Sequence, residues 1–185
     1  MNQISILLRI SHGLIALIFV LLFISGQFNY MSFHIFFGHI IGALLLTRLL
    51  FGFVSKDAYL QWSRYIYHPK QLFKHLKKIL VEKDNDLEIH NPAGSYLVLL
   101  MLFCLVSIVF TGNLLESLFE FSGVLLLLTD FINTDFAYSI SSFHQYSSYV
   151  MVALVITHIS GVLYSSHLSR KNFPLMIITG NLKKI

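Results

Sequence analysis

Four stretches of this chain are apolar for long enough to cross a lipid bilayer, and that property excludes most of what a polypeptide can become. They are residues 4–28, 33–54, 93–111 and 143–164. About 20 apolar residues at about 1.5 Å rise cover about 30 Å of hydrocarbon. Inside hydrocarbon each backbone polar group must find its partner within the segment, so each stretch reads as a helix. With 56% hydrophobic and 12% charged residues, the 185-residue chain carries too little charge to cover a water-soluble domain of its size. The expected fold is an all-α integral membrane bundle of four transmembrane helices, one domain over 1–185. A fifth apolar run, 121–131, is too short to span and reads as a surface or re-entrant helix. The first run resembles a signal peptide only superficially: Arg9 and His12 lie inside it and the next run follows at once, so it reads as a retained span. Cys104, the single cysteine, lies mid-span, which leaves neither a disulfide nor a cysteine-based metal site.

Charge orients these spans. Arg9 precedes the core of the first and Arg48 lies near the end of the second. Lys56, Arg64, Lys70, Lys74, Lys77, Lys78 and Lys83 lie in the 55–92 loop, and Arg170, Lys171, Lys183 and Lys184 in the tail. These are all 13 Lys and Arg, and all fall on one side. The opposite segments, 29–32 and 112–142, hold Glu116, Glu120, Asp130 and Asp135 and no Lys or Arg. The excess of Lys and Arg in cytoplasmic loops places both termini and the 55–92 loop in the cytoplasm and 112–142 in the periplasm. The location expected is the bacterial inner membrane. A pI near 9.2 reflects basic loops held against anionic lipid rather than nucleic-acid binding. Residues 59–80 mix aromatic and apolar side chains with lysines, as a segment lying on the cytoplasmic membrane surface does.

Ionisable side chains inside a bilayer are costly, and by default they mark function. Of nine histidines, His68, His75, His90 and His167 fall in or beside cytoplasmic segments; His12, His34, His39, His144 and His158 lie in spans. His144 and His158 are 14 residues apart, two heptads, so they share one face of the fourth span, about 21 Å apart along it. His12 lies near the inner end of the first span, at the depth of His158. His34 lies near the outer end of the second, at the depth of His144. Two imidazoles at one depth on facing helices are what a haem iron needs, one above and one below. Zinc or copper wants more ligands per site, and the spans offer no nearby Cys, Asp or Glu. The expectation is two b-type haems, with axial ligands His12 and His158 on the inner iron and His34 and His144 on the outer. Filling both axial positions favours electron transfer over oxygen chemistry. The competing reading has these histidines bonding across helices or lining a water path. His39, five residues from His34, points about 140° away and is the alternative outer ligand or a packing residue. Gly13, Gly38, Gly42 and Gly161 suit either a macrocycle close to the backbone or tight helix packing, since Gly38 and Gly42 form a GxxxG.

Several motifs carry a resemblance. Arg9-Ile-Ser-His12 resembles the R-x-x-H of the first span in bacterial cytochrome b561 proteins and the cytochrome b subunits of nickel–iron hydrogenases. His34-Ile-Phe-Phe-Gly38 is similar to their H-x-x-x-G, and Arg48-Leu-Leu-Phe-Gly-Phe53 to their R-x-x-x-G-F. His90-Asn91-Pro92-Ala-Gly94 resembles the H-N-P-x-G that opens their third span. His144 and His158, followed by Arg170-Lys171-Asn172 and Ile178-Thr179-Gly180, resemble the family's end. The resemblance covers nearly the whole chain apart from 113–141. It implies a four-helix dihaem cytochrome b exchanging electrons with the quinone pool and a periplasmic or membrane partner, such as a c-type cytochrome or a hydrogenase. It also favours His34 over His39, because only His34 precedes a glycine at the family spacing. Gly13 departs from the pattern, since many relatives carry tryptophan after the first-span histidine.

Two other functions compete. A self-contained quinone-linked oxidoreductase that scavenges superoxide would want a cationic outer surface, and the outer segments are acidic. A haem-free transporter or assembly factor would show no visible spectrum. The acidic outer segment is either a docking surface for a basic partner or simply the mark of the translocated side. Arg9 and Arg48 would pair with haem propionates or with anionic lipid.

Overall fold

The computed structural model describes residues 4–55, 61–81 and 91–181. Lys56, Lys83, His90, Lys183 and Lys184 lie outside them, as does the start of the 59–80 segment. The chain is all-α over the described residues, and four helices among them are long and apolar enough to cross a membrane: α1 (Ile6–Gln27), α2 (Met31–Val54), α4 (Pro92–Phe119) and α5 (Thr134–Ser169). Shorter helices are α3 (Pro69–Val81) and α6 (Phe173–Thr179). Within the most apolar window of each long helix only 6% to 22% of residues are buried by the chain itself. So much open apolar surface is stable only in hydrocarbon.

The chain forms two compact units. One, here the basic unit, comprises 1–12, 48–101 and 154–185 and includes all 13 Lys and Arg. The other, the acidic unit, comprises 13–47 and 102–153 and contains Glu116, Glu120, Asp130 and Asp135 without a single Lys or Arg.

In the acidic unit α1 turns into α2 through Asn29 in the left-handed conformation (φ 58°), which a short polar side chain tolerates. The Tyr30 amide closes the turn on the Ser25 carbonyl at 2.9 Å. Small residues bring helices close: a Cβ on Gly42 would stand 3.3 Å from Val109, and the Cys104 thiol donates to the Ser147 carbonyl at 3.5 Å. Gly42 thus serves helix packing. Two helices extend beyond their apolar cores. α4 continues past residue 111 to Phe119, because Asn113 and Glu116 lower hydropathy without breaking a helix already nucleated. α5 begins at Thr134, where the Asn133 side chain accepts the Phe136 amide at 2.8 Å and Asp135 sits in the first turn. The 121–131 run forms no α-helix, only a 3-10 helix at Leu126–Phe131, since Phe121 and Gly123 both adopt positive φ just before it. Its apolar side chains stay exposed, Leu127 at 85% and Phe131 at 86%.

In the basic unit two arginines are spent on architecture. Arg48 is buried, with its guanidinium 4.8 Å from the Trp62 ring centroid and 5.9 Å from that of Tyr65. The Trp62 indole donates to the Leu49 carbonyl at 3.1 Å and occupies the space a side chain on Gly52 would need. The R-x-x-x-G-F motif is therefore a tryptophan dock. Arg9 donates from Nε to the Ile177 carbonyl at 3.3 Å and from Nη2 to that of Ile178, satisfying the carbonyl end of α6. Gly180, left-handed at φ 81°, ends that helix beside the guanidinium. Asn91 caps α4, accepting the Gly94 amide at 2.7 Å, with Pro92 in the first helical position.

Candidate haem-binding sites

The basic unit brings His12 of α1 and His158 of α5 together, with ring centroids 6.5 Å apart and planes at 49°. The acidic unit brings His34 of α2 and His144 of α5 together, with centroids 6.1 Å apart and planes at 76°. An imidazole nitrogen sits about 2 Å from a first-row metal and about 1.2 Å from its own ring centroid, so two rings on opposite sides of one iron have centroids about 6.4 Å apart. Both pairs are near that separation, too far for direct ring stacking and right for one intervening atom. Among the described residues no group of three or more His, Cys, Asp or Glu gathers. Two protein ligands suffice where the macrocycle supplies the other donors to the metal, as in haem.

The outer rings are also oriented. His34 Nδ1 lies 3.0 Å from the Leu22 carbonyl and 3.3 Å from Ser25 Oγ. A carbonyl can only accept, so Nδ1 carries the proton and Nε2 keeps its lone pair. His144 Nδ1 lies 3.0 Å from Thr111 Oγ1, whose hydroxyl proton is directed at the Ser107 and Ile108 carbonyls at 2.8 and 3.1 Å. Thr111 therefore accepts from His144 and fixes the same tautomer. A metal-bound histidine is held in this way at its other nitrogen. The inner rings have no hydrogen-bond partner among the described residues.

Glycines make room for these rings. A Cβ on Gly26 would stand 3.1 Å from His34 Cε1, and one on Gly112 would stand 3.2 Å from His144 Cε1. Neither glycine stands out in the sequence, because the relevant neighbour is on another helix. By contrast, Gly13, Gly38 and Gly161, each within four residues of His12, His34 or His158, have nothing within 4 Å of a Cβ position, leaving space for a flat group. His39 Nε2 is 2.7 Å from Glu116 Oε2. Arg9 and Arg48, expected at propionates or lipid, are held by the α6 carbonyls and by Trp62 and Tyr65.

A family model described as prokaryotic cytochrome b561 matches residues 3–179. The chain belongs to the prokaryotic cytochrome b561 family. Among curated proteins and among solved structures, none matches significantly. As a b561-family member it is a multi-pass membrane cytochrome b, a haem b protein of electron transfer.

Proposed function

We propose that this cytochrome is a dihaem electron carrier linking the membrane quinone pool to a redox partner at the periplasmic face. His12 and His158 would ligate the inner haem, and His34 and His144 the outer. The observation that carries the proposal is the pair of ring separations, 6.5 and 6.1 Å, each fitting one iron between two imidazoles. Each haem, when bound, supplies one-electron cycling between ferric and ferrous iron. The chain's own part would be to offer two imidazoles to each iron and to keep the outer tautomers fixed through Leu22 and Thr111, with Nε2 free to bind. The topology that supports a periplasmic outer haem has both termini in the cytoplasm of a bacterial inner membrane. Every Lys and Arg belongs to the unit of the chain ends, and Glu116, Glu120, Asp130 and Asp135 to the other. The partner on the acidic side would be a basic redox protein of the c-type cytochrome kind, steered by opposite charge.

Pyridine haemochrome titration should give about two non-covalent haems per chain, as no C-x-x-C-H attachment motif exists. A count of one or none ends the dihaem reading. A reporter fused to Ile185 should be cytoplasmic; a periplasmic result would exchange the sides of the two haems.

A further inference from the structure

Outside the two histidine pairs, the acidic unit contains one more acid–base couple. His39 Nε2 is 2.7 Å from Glu116 Oε2, and the two side chains differ sharply in exposure, 49% for the imidazole and 10% for the carboxylate. The cover over Glu116 comes from the loop after α4. A Cβ on Gly123 would stand 3.2 Å from the Glu116 carboxyl carbon and 3.3 Å from Oε2, and the residue has φ 98°, so only glycine lets the backbone close there. The carboxylate is shut in and the imidazole is open.

We infer that the His39–Glu116 couple is the proton-accepting site at which a quinol is oxidised, an inference that rests on the quinone reading above. His39 lies eight residues into α2, about 12 Å along that helix. Glu116 belongs to the 112–142 segment that the charge distribution assigns to the periplasm, so the couple would stand at the outer boundary of the bilayer, open to the lipid edge and near water. A molecule that reaches it from the lipid edge and has a proton to give must be apolar overall and carry an acidic hydroxyl, which is the description of a quinol. Glu116 accepts from Nε2–H, so Nδ1 keeps the lone pair that receives a hydroxyl proton. The covered carboxylate orients the imidazole through Nε2, the logic of a base held in place by an acid.

The couple also lies on the elements that build the outer haem site. His39 follows His34 by five residues on α2, and Glu116 follows Thr111, which holds His144, by five on α4. Oxidation of one quinol breaks two O–H bonds and yields a quinone, two protons and two electrons. The two electrons would pass to haem, which when bound accepts one electron at a time. His39 takes the first proton, discharges it to water at the outer surface, and is restored for the second. Packing alone would not call for an ionisable pair with its basic member open.

The test uses the purified holoprotein, decylubiquinol as reductant and a photoreactive azidoquinone as label. In the unaltered protein, label is expected on the α2 peptide containing His39 or the α4 peptide containing Glu116. His39→Gln should slow reduction by decylubiquinol about 100-fold or more, the ordinary range for losing a general base. Haem content and the dithionite-reduced spectrum should stay as they were, and label at these peptides should fall. Glu116→Gln, which keeps an acceptor but removes the charge, should slow reduction less. Should either variant lose haem, the site of label on the unaltered protein still decides. Label on other helices, with decylubiquinol reduction intact, overturns this site and leaves the quinone reading standing. No reduction and no label anywhere overturns both.

Discussion

The two histidine pairs resemble each other in separation and differ in how they are held. In the acidic unit each ring is gripped directly: His34 Nδ1 by the Leu22 carbonyl and His144 Nδ1 by Thr111. In the basic unit the rings of His12 and His158 have no such bond among the described residues. One turn before His12, Arg9 ties α1 to the carbonyl end of α6. The difference teaches that two pairs of one residue type at one separation need not share one support. A hydrogen bond at Nδ1 makes the imidazole a richer donor and favours ferric iron. A backbone clamp fixes where the ring sits and leaves its basicity alone. The outer haem should therefore be tuned by its ligand bonds, and the inner haem held by its scaffold.

The largest effect expected is the loss of a whole haem. His34→Ala or His144→Ala should leave only the inner haem, and His12→Ala or His158→Ala only the outer, read as a fall from about two to about one by pyridine haemochrome. A His39→Ala protein that loses a haem, beside a His34→Ala protein that keeps both, would break the pairing and with it the contrast. Next in size is the clamp. Hydrogen bonds from a charged donor contribute about 1.5–3 kcal/mol, so Arg9→Gln should weaken inner-haem retention roughly 10- to 100-fold. Transfer of haem to apomyoglobin would measure it, and the outer haem should leave at its original rate. Equal release of both would mean that the clamp supports the fold at large and not one site. The smallest effect is on potential. Thr111→Val removes the Thr111 hydroxyl as acceptor for His144 Nδ1–H and leaves the Ile108 carbonyl nearby, so the loss is at most one bond worth about 0.5–1.5 kcal/mol. At about 59 mV per tenfold for one electron, the outer potential should rise by roughly 20–60 mV while the inner stays put. A spectroelectrochemical titration in which both move together, or the outer one falls, would remove the proposed tuning.

The four spans were legible because hydropathy is a local property that a window of sequence samples directly. Their limits were less so. Residues 112–119 and 134–142 are helical although polar side chains take them out of the apolar runs, because a helix needs only unbroken backbone bonds to continue. The pairing of His12 with His158 and of His34 with His144 was legible too. A 14-residue spacing on one helix and the alternating direction of successive spans leave few ways to match depths. The left-handed turn at Gly123 also determines that the 121–131 run cannot be one continuous helix, although its apolar composition alone reads as one.

By itself, then, the sequence determined an all-α membrane chain, the gathering of every Lys and Arg on one side of it, and four histidines in two depth-matched pairs. Tertiary structure decided who holds what. Arg9 reaches carbonyls 168 and 169 positions away, His39 finds Glu116 at a separation of 77, and His144 finds Thr111 at 33. The physical reason is that burial in hydrocarbon depends on each segment alone, whereas a hydrogen bond depends on two side chains meeting within about 3 Å at a fitting angle. That meeting is set by the rotation and tilt of neighbouring helices, which packing of residues such as Gly42 against Val109 fixes and no single segment records.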